Sequence, residues 1–239
     1  MSGHSHFKTV KATKDANDAK KGKIFSKLGR VITIAAKEKG GDIALNVKLK
    51  GAIERAKEFN MPKENIERAI KKGTGELAGE SLESISFEGF GPGQIAIIIE
   101  GITDNKNRTL GEIKGILSQH DSKMSGEGAV KWMFERKGLI IINFEGKSKK
   151  ELELVAIESG ADDIIFKDTN LHIYTKPEDL ENTKKTLEEK GLKIEESNLS
   201  WIPKEEITID KKTQEKAQKL FEALDENDAV QDIYYNLKD

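Results

Sequence analysis

The sequence predicts an α+β multidomain chain. An N-terminal three-helix domain is followed by two ferredoxin-like α+β domains, the second inserted in the first. Three observations carry this expectation. Apolar residues keep a helical period as far as Lys72, strand periodicity replaces it from Ile85, and residues 139–201 complete a β-α-β-β-α-β cycle. The length agrees, since 239 residues suit two or three small cores better than one.

The first helix is expected over 15–39, ended by Gly40-Gly41. Ile24, Phe25, Leu28, Val31, Ile32 and Ala35 share one stripe, and Lys20, Lys23, Lys27, Arg30 and Lys37 cluster opposite. Lys8, Lys11 and Lys14 extend the cationic row into a stretch with no apolar periodicity, which reads as a mobile arm. A second helix is expected over 44–59, with Leu45, Leu49, Ile53 and Ala56 inward. Pro62 suits the first position of a third helix, where its missing N–H has no partner to lose. Ile66, Ala69 and Ile70 face inward there, Lys71 and Lys72 fill the last turn, and Gly73 stands where a left-handed cap belongs. Residues 74–84, rich in Gly, Ser and Glu, read as a linker.

Strands are then expected over 85–90 and 94–102, joined by the turn Gly89-Phe-Gly-Pro-Gly93. A helix over 108–120, with Leu110, Ile113 and Leu117 on one face, and a strand over 130–135 follow. The next cycle is a strand (139–144), a helix (149–159), two strands (163–167 and 171–175), a helix (177–190) and a strand (192–201). A last helix (213–224) presents Ala217, Leu220, Phe221 and Leu224 to one side, and a last strand covers 229–235. The simplest division is 1–79 as a basic helical domain, 80–136 plus 204–239 as a middle α+β domain, and 137–203 as an inserted βαββαβ domain.

Charge divides along the same line. The net charge is −2, but residues 1–79 hold 18 Lys+Arg against 9 Asp+Glu, and the remainder hold 22 against 33. A basic end beside an acidic body points to a polyanion held at that end. Read from the residues alone, a solvated Lys-rich surface accounts for the pattern equally well, and the helix dipole alone accounts for Lys71 and Lys72.

Several classes are excluded. There is no cysteine, hence no disulfide, thiolate zinc site or cysteine nucleophile. The longest apolar run, Ile95 to Ile99, stops at Glu100, far short of the ~20 residues that span a bilayer. The N-terminus lacks an apolar segment of the secretory kind, so a cytoplasmic location is expected. Gly89-Phe-Gly-Pro-Gly93 contains GxG but leads into a strand, so it reads as a hairpin turn and not a dinucleotide loop. His4 and His6 make an incomplete metal site. No nucleophile–base pair stands at a recognisable spacing. The expectation is therefore no catalytic residue, no metal, no cofactor and no enzyme activity.

Thr103-Asp-Asn-Lys-Asn-Arg-Thr109 is a run of seven polar residues between a buried strand and a helix. Asn105, Lys106, Asn107 and Arg108 can cap the helix or hydrogen-bond phosphates and base edges, and the residues support both equally. The candidate nucleic-acid contacts are thus Lys8, Lys11, Lys14, Lys20, Lys21, Lys23, Lys27, Arg30, Lys37, Lys71, Lys72, Asn105, Lys106, Asn107 and Arg108.

Blocks spread along the whole chain resemble the YebC family. They are Met1-Ser-Gly-His-Ser5, Asp18-Ala-Lys-Lys-Gly-Lys-Ile-Phe-Ser-Lys-Leu28, Asn60-Met-Pro-Lys-Glu-Asn-Ile-Glu-Arg-Ala-Ile-Lys-Lys-Gly-Thr-Gly75, Phe87-Glu-Gly-Phe-Gly-Pro-Gly93, Thr103 to Thr109, Val130-Lys-Trp-Met-Phe134 and Asn227-Asp-Ala-Val-Gln-Asp-Ile-Tyr-Tyr235. Departures fall at His6-Phe7, Ala12-Thr13, Ile43 and Ser122-Lys-Met-Ser125. The resemblance implies a helical domain followed by two α+β domains. It also implies a non-enzymatic regulator of gene expression, in either of two forms. One is a DNA-binding transcription regulator that uses its basic N-terminal domain. The other is a ribosome-associated translation factor that binds ribosomal RNA and relieves stalled translation. No membrane partner is implied, and a monomer is the simplest oligomeric state.

Overall fold

A computed structural model describes residues 18–79 and 81–238. The first helix, α1, is Asp18–Lys39, followed by α2 (Val47–Glu58) and α3 (Lys63–Thr74). Leu28, Ile32, Ala35 and Ala36 of α1 meet Leu49, Ala52, Ile53 and Ala56 of α2 and Ile66 and Ala69 of α3 in one core. The expected stripes are thus the packed ones, with one exception. Leu45, expected inward, precedes α2 and is 78% exposed. The chain turns there instead of continuing a helix, because Asn46 is the cap. Its buried side chain accepts from Leu49 N at 3.0 Å and donates to the carbonyls of Ala35 and Gly40, each at 2.8 Å. One amide therefore ties the end of α1 to the start of α2.

Pro62 is the residue before α3 and not its first turn, and the helix runs past Gly73 to a left-handed cap at Gly75 (φ 81°). Gly73 serves a different purpose. A Cβ there would lie 2.4 Å from the Thr33 carbonyl oxygen and 2.7 Å from Ala36 Cβ, so glycine permits the close crossing of α3 on α1.

The middle sheet contains β1 (Glu83–Phe90), β2 (Ala96–Thr103), β3 (Lys123–Ser125) and β8 (Val230–Tyr235), in the order β3-β1-β2-β8 and antiparallel throughout. β1 and β2 form the expected hairpin, with Phe90 opposite Ala96 and Gly93 at φ 67° in the turn. Helix α4 (Lys106–Gln119) buries Ile113 and Leu117 but leaves Leu110, expected on the same face, 36% exposed at the edge of its stripe, and α7 (Lys211–Asp225) buries Ala217, Leu220, Phe221 and Leu224. Phe221 stacks on Tyr235 of β8 at 4.4 Å between ring centres. The buried Glu88 carboxylate accepts from Gly128 N and Val130 N, each at 2.7 Å, and so pins the loop that follows β3.

Residues 131–207, with 236–238, form a second compact unit. Its strands are β4 (Phe134–Asn143), β5 (Asp163–Lys167), β6 (Asn170–Thr175) and β7 (Ile194–Pro203), and its helices are α5 (Lys149–Glu158) and α6 (Leu180–Glu189). The order β5-β6-β4-β7, all antiparallel, is that of a ferredoxin-like sheet. Ile140, Ile142, Leu171 and Ile173 line the helix side with Leu152, Ala156, Leu180 and Leu187. Two expectations change here. Residues 131–133 are a short 3-10 turn, and β4 is a single strand where the sequence predicts two. β3, three residues long and mostly polar, had no periodicity to betray it. The middle domain shares the two-layer architecture but opens with a hairpin, so its connections differ from those of the insert.

Candidate nucleic-acid interface

The cationic face of α1 is not an open surface. Lys27 is 3% exposed, and its ammonium donates to Asp225 Oδ1 at 2.9 Å and to the Asp225 carbonyl at 2.7 Å. Lys23 donates to the Glu226 carboxylate at 2.6 Å and to the Glu226 carbonyl. Arg30 donates to the Ile102 carbonyl at 3.0 Å, and Lys37 to the Leu82 carbonyl at 2.9 Å. The spacing that suited a phosphate row serves to dock α1 on the middle domain. The physical reason lies in α7, whose C-terminal end carries Asp225 and Glu226 and no basic residue. Carboxylates at the negative end of a helix dipole are unfavourable unless cations are brought to them. Lys23 and Lys27 supply that charge and satisfy carbonyls at the helix end. An acidic helix C-terminus was the signal in the sequence that this face had a partner.

Other cations remain outward. Lys21, Lys71 and Lys72 are exposed, and so are Arg68, Lys39 and Lys57, which the periodicity argument passed over. Arg68, Lys71 and Lys72 stand at i, i+3 and i+4 on α3 and therefore share a face. None of these three has a hydrogen bond or ion pair from its side chain to another described residue. By contrast, Lys48, Lys50 and Lys63 are paired with Glu38, Glu54 and Glu67. Lys8, Lys11, Lys14, His4 and His6 lie outside the described residues, as does the side chain of Lys20.

The loop after β2 resolves into two parts. Asn105 is the N-cap of α4 and accepts from Arg108 N at 3.0 Å. Thr103 and Thr109, both buried, share a hydroxyl–hydroxyl bond of 2.8 Å, and Thr103 Oγ1 accepts from Asn105 N. Arg108 pairs with Asp104 at 2.5 Å and with Glu112 at 3.7 Å. That guanidinium holds the Asp104 carboxyl below its ordinary value of 3.8. Asn105 and Arg108 thus build the turn. Lys106 and Asn107 are exposed beside it.

Residues 5–76 match the family model described as "TACO1/YebC protein N-terminal domain", and residues 82–237 match "TACO1/YebC second and third domain". The chain belongs to the TACO1/YebC family. A probable transcriptional regulatory protein of Thermoanaerobacter pseudethanolicus is 46% identical over 239 residues, covering 100% of this chain and 97% of that one. A protein of the same description from Caldanaerobacter subterraneus is 45% identical, covering 100% and 98%. The crystal structure of a conserved hypothetical protein from Aquifex aeolicus has a TM-score of 0.85 at 42% identity, covering 95% of each chain. Among the described residues of this TACO1/YebC chain, no helix is long and apolar enough to cross a membrane. No group of three or more His, Asp or Glu is placed to hold a metal ion there.

Proposed function

We propose that this chain is a non-enzymatic, nucleic-acid-binding regulator of gene expression. Its helical domain grips phosphates. The observation that carries this reading is the exposed row Arg68, Lys71 and Lys72 on α3, cations left without partners among the described residues. Lys21, Lys39 and Lys57 on the same domain add to the field, as do Lys8, Lys11, Lys14 and Lys20 in sequence. Lys106 and Asn107 add contacts at the start of α4, while Lys23, Lys27, Arg30 and Lys37 keep α1 docked. The names of the relatives support a regulatory role in transcription, for which duplex DNA would be the polyanion. The chain shows no recognition-helix pattern of Arg, Asn and Gln suited to base edges, so modest DNA sequence discrimination is expected. That same feature favours a second reading, a ribosome-associated factor holding ribosomal RNA by its backbone.

The test is fluorescence anisotropy with labelled duplex DNA and with a ribosomal RNA fragment across a salt series. The triple variant Arg68→Ala, Lys71→Ala and Lys72→Ala should flatten the log–log salt slope by up to about 2.7 on duplex DNA, from ~0.9 per phosphate contact. An unchanged slope removes α3 from the interface. Cross-linking in cells separates the readings, since promoter DNA supports the first and ribosomal RNA the second.

A further inference from the structure

The turn between α1 and α2 carries three branched aliphatic residues that face water. Ile43 is 45% exposed, Leu45 78% and Val47 55%. Single exposed aliphatics are ordinary on a protein surface. Three within five residues, on a turn held from beneath, are a concentrated apolar projection. Ala44 N donates to Asp42 Oδ1 at 2.9 Å, and Leu45 N and Asn46 N donate to the Asp42 carbonyl at 3.2 and 2.9 Å. The buried Asn46 side chain fastens the turn to the carbonyls of Ala35 and Gly40. The turn is thus held in one shape, with Leu45 as its most exposed residue. It also abuts the cationic row of α3. A Cβ on Gly41 would lie 2.9 Å from Thr74 Cγ2 and 3.1 Å from Ile70 Cγ2, so the chain enters the turn against the end of α3 that carries Lys71 and Lys72. Of the nearby carboxylates, Glu38 is matched by Lys48 at 2.6 Å, which leaves Asp42 and Glu76 beside Lys39, Arg68, Lys71 and Lys72.

We propose that Leu45, flanked by Ile43 and Val47, is a wedge that enters an opened base step of duplex DNA from the minor groove. This rests on the reading that the helical domain grips duplex DNA, and adds how that duplex is deformed. Base pairs present flat apolar faces once a step is opened, and a branched aliphatic chain between them recovers the burial it lacks in the free protein. Opening a step is costly, and a wedge already fixed by Asn46 and Asp42 adds little ordering cost of its own. The cations beside the turn hold the neighbouring phosphates, which favours a polyanion over an apolar protein groove. The result is selection by deformability. Pyrimidine–purine steps open most cheaply, so they are preferred without any contact to base edges.

The assay uses the full chain and two duplexes of about 14 base pairs, one with a central TA step and one an A-tract, each with 2-aminopurine at its centre. Binding should raise the 2-aminopurine emission of the TA duplex, because unstacking relieves its quenching. Affinity for the TA duplex should exceed that for the A-tract about 5-fold or more. Leu45→Ala should abolish the emission rise and bring the two affinities within about 2-fold, with the melting temperature unchanged because the side chain is exposed. Leu45→Met should keep both effects, since methionine also serves as a wedge. The Arg68, Lys71 and Lys72 triple variant should weaken both duplexes alike, flatten the salt slope and keep the TA preference. A parent that binds neither duplex overturns the DNA reading, and the wedge with it. A parent that binds both without an emission rise, or a Leu45→Ala variant that matches the parent, overturns the wedge alone. So does a Leu45→Ala chain that sediments as a monomer where the parent is a dimer, which would assign the turn to a second copy.

Discussion

The Lys27–Asp225 pair gives the sharpest test of how the helical domain is used. Its two sides are unequally buried, with side-chain exposures of 4% for Lys27 and 22% for Asp225. Asp225→Ala leaves a buried ammonium with the residue 225 carbonyl as its one remaining partner among the described residues, and removing one partner of a buried pair costs about 3–5 kcal/mol. Lys27→Met leaves a carboxylate that water still reaches, and it loses hydrogen bonds to a charged group worth about 1.5–3 kcal/mol. The double variant Lys27→Met with Asp225→Ala replaces the pair by apolar atoms, so it should be more stable than Asp225→Ala alone. Urea unfolding followed by circular dichroism reads these differences, urea being preferred because guanidinium is itself a screening salt. Lys27→Met should also leave the salt slope of nucleic-acid binding unchanged. Strict additivity of the two substitutions would show that the pair carries no coupling. A slope reduced by about 0.9 with stability untouched would make Lys27 a phosphate contact and refute the docking argument.

Asn46→Ala removes three hydrogen bonds, two of them buried, and leaves the Ala35 and Gly40 carbonyls without this donor, so thermal unfolding should show a loss of about 2–3 kcal/mol. Asn105→Ala should cost about 1 kcal/mol of stability as a lost cap, whereas Lys106→Ala with Asn107→Ala should lower nucleic-acid affinity and leave the melting temperature in place. Asp210 caps α7 through Thr213, whose side-chain and backbone hydrogen bonds hold its carboxyl below the ordinary 3.8. A depressed pKa adds stability above the unfolded value and loses it as the pH falls through the folded one. The stability difference between the parent and Asp210→Asn, which can cap but not titrate, should therefore be constant above about pH 5 and change only below about pH 4.

The elements with a strong apolar period were readable before any coordinates. The stripes of α1, α3 and α7 face inward as their spacing requires, and the βαββαβ order of the insert follows from element lengths and turns. What periodicity cannot show is a polar face that has a polar partner. Lys23, Lys27 and Arg30 look the same in sequence whether they meet water, phosphate or the end of α7. Short-range chemistry decided the smaller misses. Asn46 outbids the helix signal around Leu45 by capping, and Gly73 is needed for packing, so the left-handed cap moves to Gly75. Residues 130–135 alternate like a strand, while the chain makes a tight turn there and leaves Trp132 exposed.

The position of β8 has a consequence for how the chain is made. β2, an isoleucine-rich strand, has β1 beside it from the hairpin but receives its other neighbour only when residues 230–235 are synthesised. That lies about 130 residues later, or about 6–25 s of elongation at ordinary rates. In that interval the second unit has all four strands of its sheet but lacks Asn236 to Lys238, whose backbone bonds to Ile207 come last. The edge of β2 meanwhile stays open to pairing with other chains, a known route to aggregation. The anchors for α1 at Asp225 and Glu226 arrive in the same closing stretch. A chain released before residue 230 would carry an undocked basic helix and an unsealed sheet. The final strand, and not the larger body before it, completes the protein.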